Sequence, residues 1–199
     1  NLSGRPIVGS LVWMAMKAGM LKLSSQVLDG PKPFQTNEAT LDSVLEPVRG
    51  RLLALSEQAM QLGFHSHSCS VSNSAGVVAH GGSLRMLHES GQFFLQIIAS
   101  CSGEVMNGYE SIVSATTNPV AVFSSTNGPP HYNSPPGVTV KRHVGASLGE
   151  LVDAHRAMVA DLAELVPLQT YDEVGRVLDH LSFLFFSDKV ARGIFVPVA

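Results

Sequence analysis

The chain has 199 residues, of which 45% are hydrophobic and 15% are charged, and its formal net charge is −3 at pH 7. This length suits one globular domain with a substantial core, and the absence of any Lys/Arg cluster excludes nucleic acid as an expected partner. Because so few charges can cover the surface, we expect a homo-oligomer contact or a protein partner to cover part of it.

The first predicted element is an apolar helix in residues 6–21, where Lys17 carries the one charge. The segment is shorter than the roughly 20 apolar residues that span a membrane, so a buried helix is the first expectation. An interfacial or oligomer-forming helix and the end of a longer span are alternatives, which leaves membrane proximity open. Gly-Pro-Lys-Pro at residues 30–33 then breaks the chain. We therefore predict an N-terminal helix and linker over residues 1–33 and one domain over residues 34–199.

A second helix is predicted to begin near Pro47 and to end at Gly63. Its apolar residues recur at alternating spacings of four and three, as one buried helix face requires: Val48, Leu52, Leu55, Ala59 and Leu62. After Gly63 the pattern changes to a period of two over residues 65–72. Asn-Ser-Ala-Gly at residues 73–76 offers a turn into residues 77–80, which predicts a β-hairpin.

Three further segments are predicted to form the central strands of a sheet. Residues 92–100, 110–117 and 119–125 are rich in β-branched and aromatic side chains and are bounded by Gly, Asn and Pro. Residues 83–90 fit neither period well, and we expect a short helix there. Residues 111–140 contain no Asp, Glu, Lys or Arg. We therefore expect helices on one face of the sheet and a partner or a ligand on the other.

The loop that follows these strands is rich in proline. Residues 127–137 read Asn-Gly-Pro-Pro-His-Tyr-Asn-Ser-Pro-Pro-Gly, which excludes a helix or a central strand and predicts an exposed, stiff loop. Such a loop is either a plain connector or a recognition element. If it binds a ligand, His131 and Tyr132 are its candidate binding residues.

The C-terminal third predicts two helices. One apolar stripe at helical spacing runs over residues 148–165, and Ser147 with Glu150 forms the pattern of a capping box ahead of it. A second helix is predicted over residues 171–186, with an inward face formed by Val174, Val177, Leu178, Leu181 and Phe185. The position of His155 on the apolar stripe indicates a core histidine.

A metal site on the His-Ser-His-Ser-Cys segment is the first candidate for chemistry. In a regular strand His65, His67 and Cys69 point to the same face. If the hairpin turn is tight, His80 lies across from Cys69 on that face and supplies a fourth ligand. Imidazole nitrogens and a thiolate suit zinc or a similar transition metal, which is the one cofactor the sequence suggests. The alternative is a half-polar, solvent-facing strand without an ion.

A serine-hydrolase hypothesis rests on two short motifs. Gly-Ala-Ser-Leu-Gly at residues 145–149 matches the G-x-S-x-G nucleophile elbow, and His-Gly-Gly-Ser at residues 80–83 resembles the oxyanion loop of lipases and esterases. The resemblance implies Ser147 as the nucleophile, with His180 and Asp172 completing a triad. Against it, the residues before the elbow are charged where a buried strand is required, and the capping box explains the serine without catalysis.

Together these elements predict an α+β fold: a mainly antiparallel sheet of about five strands with helices packed on one face and an apolar N-terminal helix. The expected function is a non-catalytic binding or assembly module that uses the charge-poor sheet face and the Pro-rich loop. A metal-binding protein and a serine hydrolase are the alternatives, so an enzyme is the less expected outcome. Cys69 and Cys101 are the only cysteines, and this low content favours the cytoplasm without deciding between thiols and a disulfide.

Overall fold

The computed structural model describes residues 27–28, 41–73, 80–102, 104–117, 120–128, 134–162, 164–193 and 196–197. The predicted helix in residues 6–21 lies outside these residues, as do the loop candidates His131 and Tyr132. The chain divides into two compact units, which are described separately: Pro33–Phe185, and Asn1–Lys32 together with Phe186–Ala199. The predicted domain boundary at residue 33 stays a prediction.

The described part of the chain contains three α-helices and a mostly antiparallel sheet, which confirms the predicted α+β class. In chain order the elements are β1 (Val27–Leu28), a 3-10 turn (Leu41–Ser43), α1 (Glu46–Gln61), β2 (Phe64–Asn73), β3 (His80–His88), β4 (Phe94–Ser102), β5 (Val105–Ala115), β6 (Val122–Thr126), β7 (Val138–Arg142), α2 (Leu148–Val159), α3 (Tyr171–Ala191) and β8 (Val196–Pro197).

Six strands of the larger unit form one sheet in which β2 to β7 lie side by side in chain order. Each pair from β2 to β6 is antiparallel, as short connections between neighbouring strands require. β7 is parallel to β6, because the Pro-rich connection is long enough to return the chain to the start of β6. The sheet thus has one strand more than the five or so expected.

The additional strand is β7, which lies outside the five predicted strand segments, and β3 extends the second strand of the predicted hairpin through most of the segment predicted as a short helix. Leu84 and Met86 point to one side of the sheet, and Arg85 and Leu87 alternate with them. All four residues are at most 3% exposed. A strand that is covered on both sides shows no hydrophobic alternation, so the period of two was absent from its sequence.

Helices cover both faces of the sheet, so the expectation that they pack on one face is wrong. α1 and α2 pack on the face that carries Leu84 and Leu95, and α3 packs on the face that carries Leu87 and Phe94. Phe94 and Leu95 are adjacent in β4 and both are 0% exposed, which requires cover on both sides of the strand. We call these two sides the α1/α2 face and the α3 face.

The helix ends follow the local signals in the sequence. Pro47 lies in the first turn of α1, and Gly63 follows the helix with φ of +85°, a left-handed conformation that favours glycine. Ser147 and Glu150 form the predicted capping box of α2, with both reciprocal hydrogen bonds present. The predicted inward residues of α3 are buried or partly buried in the core of the α3 face.

The smaller unit contains a two-stranded parallel sheet. In it β1 pairs with β8, with Val27 opposite Val196 and Leu28 opposite Pro197. The last turns of α3 belong to the same unit, and there Arg192 forms an ion pair with Asp188 at 2.9 Å. Among the residues that the structure describes, no helix is both long and apolar enough to span a bilayer.

Candidate functional site

The predicted metal ligands of β2 lie on a strand that is irregular. Its pairing with β3 shifts register between His65 and Ser68, which interrupts the alternation of faces. His65 is exposed, whereas Cys69 is 7% exposed in the core of the α1/α2 face. These two side chains therefore do not share a face, contrary to the expectation from a regular strand.

The fourth predicted ligand, His80, pairs with Asn73, and Cys69 pairs with Leu84. The expected pairing of His80 with Cys69 was wrong, because the β2–β3 connection is longer than a tight turn. Within the described residues, no group of three or more His, Cys, Asp or Glu side chains is placed to hold a metal ion. The side chains of His67 and His80 lie outside that description, so the four-residue site stays a prediction.

Cys69 does not have the environment of a reactive or metal-binding thiolate. Cys69 and Cys101 are both thiols in the structure and form no disulfide. Burial raises the pKa of the Cys69 thiol, and the charge of Arg85 opposes that rise. A thiol with a raised pKa stays protonated at neutral pH, which disfavours both nucleophilic attack and metal binding.

The residues of the predicted hydrolase triad do not meet in the fold. Ser147 begins α2 on the α1/α2 face, where its hydroxyl donates to the Glu150 carboxylate at 2.7 Å. Asp172 and His180 belong to α3 on the opposite face, and eight residues of helix place them about 12 Å apart along the axis. The structure therefore does not bring Ser147, Asp172 and His180 together.

The structure contains another serine–histidine pair, Ser114 with His155, which the sequence analysis missed. The Ser114 Oγ and His155 Nε2 atoms are 2.6 Å apart, and both residues are 0% exposed. Within the described residues, His155 Nδ1 has no hydrogen-bond partner. A buried N–H without an acceptor is rarer than an unpaired acceptor, so we place the ring proton on Nε2, which donates to Ser114. In that tautomer His155 is no base for Ser114.

Burial lowers the pKa of His155 to about 4, so this imidazole is neutral at pH 7. Its ring makes an edge-to-face contact with Phe93, with centroids 5.6 Å apart. The prediction of a core histidine at this position is confirmed. A single sequence gives no signal for Ser114. A serine that follows β-branched residues in a strand is equally compatible with either face of the sheet.

A second buried histidine, His88, lies beside the same phenylalanine. Its Nδ1 accepts the backbone N–H of Ser90 at 3.1 Å and lies 2.9 Å from Ser90 Oγ. Its Nε2 is 3.2 Å from the Arg156 guanidinium. Burial, and then the charge of Arg156, lower the pKa of His88, and Glu89 opposes them. His88 is therefore a neutral structural residue that holds a helix α2 arginine against the sheet.

Glu110 is a buried carboxylate on the α1/α2 face, and it is 4% exposed. It accepts a hydrogen bond from Arg51 of α1 at 3.3 Å and another from the Asn127 side chain. The Asn127 side chain also accepts from the backbone N–H of Glu110 at 2.8 Å. This cluster joins α1 to the middle of β5 and to the residue that follows β6, which is a structural role.

On the α3 face, the described residues line two open cavities between α3 and the sheet. The larger cavity has a volume of about 470 Å³, and the smaller one has a volume of about 260 Å³. The charge-free segment of residues 111–140 supplies five lining residues of each cavity. In the larger cavity these five are Ala115, Thr116, Thr117, Val120 and Val122, and in the smaller one they are Ser111, Val113, Ser124, Val138 and Val140.

One stripe of α3 forms the helical wall of the larger cavity. Glu173, Arg176, Val177 and His180 follow the spacing of one helix face and all line it. The buried Nε2 atom of His180 has no hydrogen-bond partner among the described residues. Arg176 is exposed, and it forms no ion pair within the described part of the chain. Of these two nitrogen-bearing side chains, only the exposed Arg176 is accessible to a molecule in this cavity.

Glu173 is already engaged at the start of α3. Its carboxylate accepts the backbone N–H groups of Gln169 at 2.7 Å and Thr170 at 2.8 Å. These two bonds lower the pKa of Glu173, and the charge of Arg176 makes a smaller contribution. Glu173 is therefore ionised at neutral pH, and one of its two carboxylate oxygens, Oε2, accepts both backbone N–H groups ahead of α3.

The smaller cavity is lined by neutral side chains alone among the described residues. Gln96, Tyr109, Ser111 and Ser124 supply its polar groups, and Leu181 and Phe185 of α3 supply its apolar wall. Burial raises the pKa of Tyr109, so its phenol stays neutral at physiological pH. The absence of charge from residues 111–140 indicated this face, but one sequence cannot show where α3 leaves it open.

In comparisons with known proteins, no family model, no curated protein and no solved structure matches this chain. The functional inference therefore rests on the cavities and their lining residues.

Proposed function

We propose that this protein is a non-catalytic binding module whose ligand binds between α3 and the charge-free part of the sheet. The larger cavity carries the proposal, because its volume of about 470 Å³ falls within the range of roughly 300–1,000 Å³ that ligand sites occupy. Its lining also fits that class: mainly apolar side chains with a few polar groups.

The charge-free segment and the end of the Pro-rich loop both contribute to this region. Val120 lines the cavity and is 51% exposed, so it lies at the rim of the opening by which a ligand enters. A Cβ atom on Gly137, the last residue of the loop, would lie 3.8 Å from the Val120 carbonyl oxygen. The loop thus ends beside the rim, and this position supports its proposed role in binding.

Binding of a neutral apolar probe tests this proposal. We expect 1-octanol, titrated into the ¹⁵N-labelled full chain, to shift amide resonances saturably in residues 115–122 and 173–180. Val120→Trp places a large side chain at the rim and should abolish these shifts. Val144→Trp is the matched control, because Val144 is 77% exposed and lines neither cavity. Equal binding by both variants, or the absence of saturable shifts in the unmodified chain, contradicts the proposal.

Assembly is the second part of the proposed function, and it rests on composition. With 15% charged residues, the surface has few groups that keep copies apart, and this favours a homo-oligomer or a protein partner. Size-exclusion chromatography with light scattering on the full chain tests assembly. A mass of two or more times the 21.1 kDa of one chain, in whole multiples, supports it. A monomeric mass at all concentrations contradicts the proposed homo-oligomer.

A further inference from the structure

We infer that His88, His155 and Arg156 form an acid-sensitive latch that holds α2 against the sheet and releases the helix when the two histidines are protonated. His155 and Arg156 belong to α2, whereas His88 is the last residue of β3. All three side chains lie around one ring, that of Phe93, which directly precedes β4. The cluster therefore joins the helix to the sheet through groups that acid can change.

The geometry of the cluster keeps both imidazole rings away from water. The ring centroid of Phe93 is 4.2 Å from that of His88 and 5.6 Å from that of His155. The guanidinium carbon of Arg156 is 5.9 Å from the same centroid, within the range of a cation–π contact. His88 is 3% exposed and His155 is 0% exposed. A cation formed on either ring is therefore shielded from solvent for as long as α2 stays in place.

Protonation of His88 sets two donors and two positive charges against each other. Its Nδ1 accepts the backbone N–H of Ser90 at 3.1 Å, so this nitrogen carries no hydrogen in the neutral ring. A proton added there opposes that N–H, although Ser90 Oγ at 2.9 Å can accept from it. The ring also becomes positive with Nε2 at 3.2 Å from the guanidinium of Arg156. Like charges repel strongly at this distance in a protein interior, and movement of α2 away from the sheet relieves the repulsion.

His155 supplies a second proton-binding nitrogen on the same helix. Its Nε2 bonds to Ser114 of β5 at 2.6 Å, and its Nδ1 has no partner within the described residues. A proton on Nδ1 thus meets no acceptor in the described core, whereas water solvates it once α2 has left the sheet. Burial alone lowers the pKa of His155, so among the described residues no charged group shifts it.

The charged groups that face His88 favour its neutral form on balance. Burial, and then the charge of Arg156, lower its pKa, with a smaller contribution from His65 of β2, and Glu89 opposes them. Asp153 is 3.8 Å from Arg156, but its side chain is 82% exposed, so solvent screens this pair. Both latch histidines therefore bind a proton more readily when α2 is released. Docking of α2 should be fully stable above pH 6.5, the pKa of a free histidine, and should weaken below it.

Hydrogen exchange of the full chain, followed by mass spectrometry between pH 7 and pH 4.5, tests the inference. The rates are corrected for the intrinsic pH dependence of amide exchange, so that they report protection. We expect residues 148–160 to lose at least tenfold more protection than residues 94–100 of the central strand β4, because the helix is released before the sheet opens. Equal losses in the two segments, or no loss in either, would overturn the latch.

Neutral variants of the latch residues test its chemistry. The double variant His88→Gln and His155→Gln keeps donors and acceptors but cannot be protonated, so its α2 protection at pH 4.5 should stay within threefold of the value at pH 7. Arg156→Gln removes the charge that faces His88, and its α2 should lose less protection than that of the unmodified chain. An acid response that is unchanged in these variants contradicts the inference. If the double variant does not fold by circular dichroism, Arg156→Gln decides, because the Arg156 side chain is 51% exposed.

Two controls separate the latch from general weakening of α2. Val152 is 1% exposed in the core beneath the helix, so Val152→Ala should lower α2 protection at every pH without changing the pH dependence. Arg49→Gln removes an arginine of α1 that pairs with Asp42 and Glu46, and it should leave the α2 profile unchanged. A steeper acid response in Val152→Ala would assign the loss to weak packing and would overturn the role of the histidines.

Discussion

The two faces of the sheet are covered to different extents, and the geometry explains why. Six strands spaced about 4.8 Å apart place the outer strands about 24 Å from each other, whereas one helix is about 10 Å wide. Two helices therefore suffice for the α1/α2 face, and α3 alone does not suffice for the other. The first face has a buried core that includes the Ser114–His155 pair, and on the second the described residues line two cavities.

We expect this difference to separate stability from the proposed ligand binding within one sheet. On the α1/α2 face, Leu52 and Leu151 are 0% exposed, and the buried carboxylate of Glu110 is hydrogen-bonded. On the α3 face, Leu181 and Phe185 are only partly buried and line a cavity. We expect the first face to carry most of the free energy of folding and the second to tolerate change with a loss of ligand affinity.

The largest expected effect comes from removing a leucine from each face. Leu151→Ala should lower the free energy of unfolding by about 2–5 kcal/mol, because it leaves a void where a fully buried side chain packs in the core. Leu181→Ala should cost about 1 kcal/mol, since the side chain is partly buried and already borders a cavity. Urea denaturation followed by circular dichroism measures both values. Equal losses would show that the two faces are packed alike, which contradicts the proposed difference between them.

The second prediction uses the pH dependence that His155 gives to the α1/α2 face. Its pKa is about 4 in the folded protein and 6.5 in a free histidine. Below pH 6.5 the unfolded chain therefore binds a proton that the folded chain does not bind until about pH 4. Stability should fall by up to about 3 kcal/mol as the pH decreases across this window, and it should be fully present above it.

Urea midpoints at pH 7, 6, 5 and 4 measure this loss. His155→Gln should flatten the dependence, although His88, whose pKa is also lowered by burial and Arg156, contributes in the same direction. Leu151→Ala is the matched control: it destabilises the same helix without removing a titratable group, and its pH dependence should equal that of the unmodified chain. An unchanged slope in His155→Gln would show that this imidazole is not the neutral group described.

Sequence patterns predicted the elements that carry one clear period and failed where two faces are buried. α1 and α2 were predictable from their apolar stripes and end signals, such as Gly63 and the Ser147 capping box. β3 was not, because Leu84 and Leu87 are buried on opposite sides and leave no alternation to read. The register shift in β2 was also hidden, since a bulge depends on the partner strand as much as on its own residues.

The sequence predicted one part of the candidate site and not the other. The charge-free segment of residues 111–140 indicated the face where we propose that a ligand binds, and it supplies much of both cavities. His180 was selected as a catalytic base, whereas the structure places it in a cavity wall on the face opposite Ser147. Arg176, which lines the same cavity, was not selected, because the sequence does not show which exposed arginine of a helix borders a cavity.

The smallest effect tests whether Ser147 belongs to the stable face alone. Ser147→Ala should lower the free energy of unfolding by about 1 kcal/mol, because it removes the cap of α2. Ser147→Asp restores a capping oxygen but no nucleophile, so it should retain most of the stability measured by urea denaturation. Neither variant should change octanol binding on the opposite face. Covalent labelling of Ser147 by a fluorophosphonate would contradict this purely structural role, because only an activated serine reacts, and it would give the filled face a chemistry of its own.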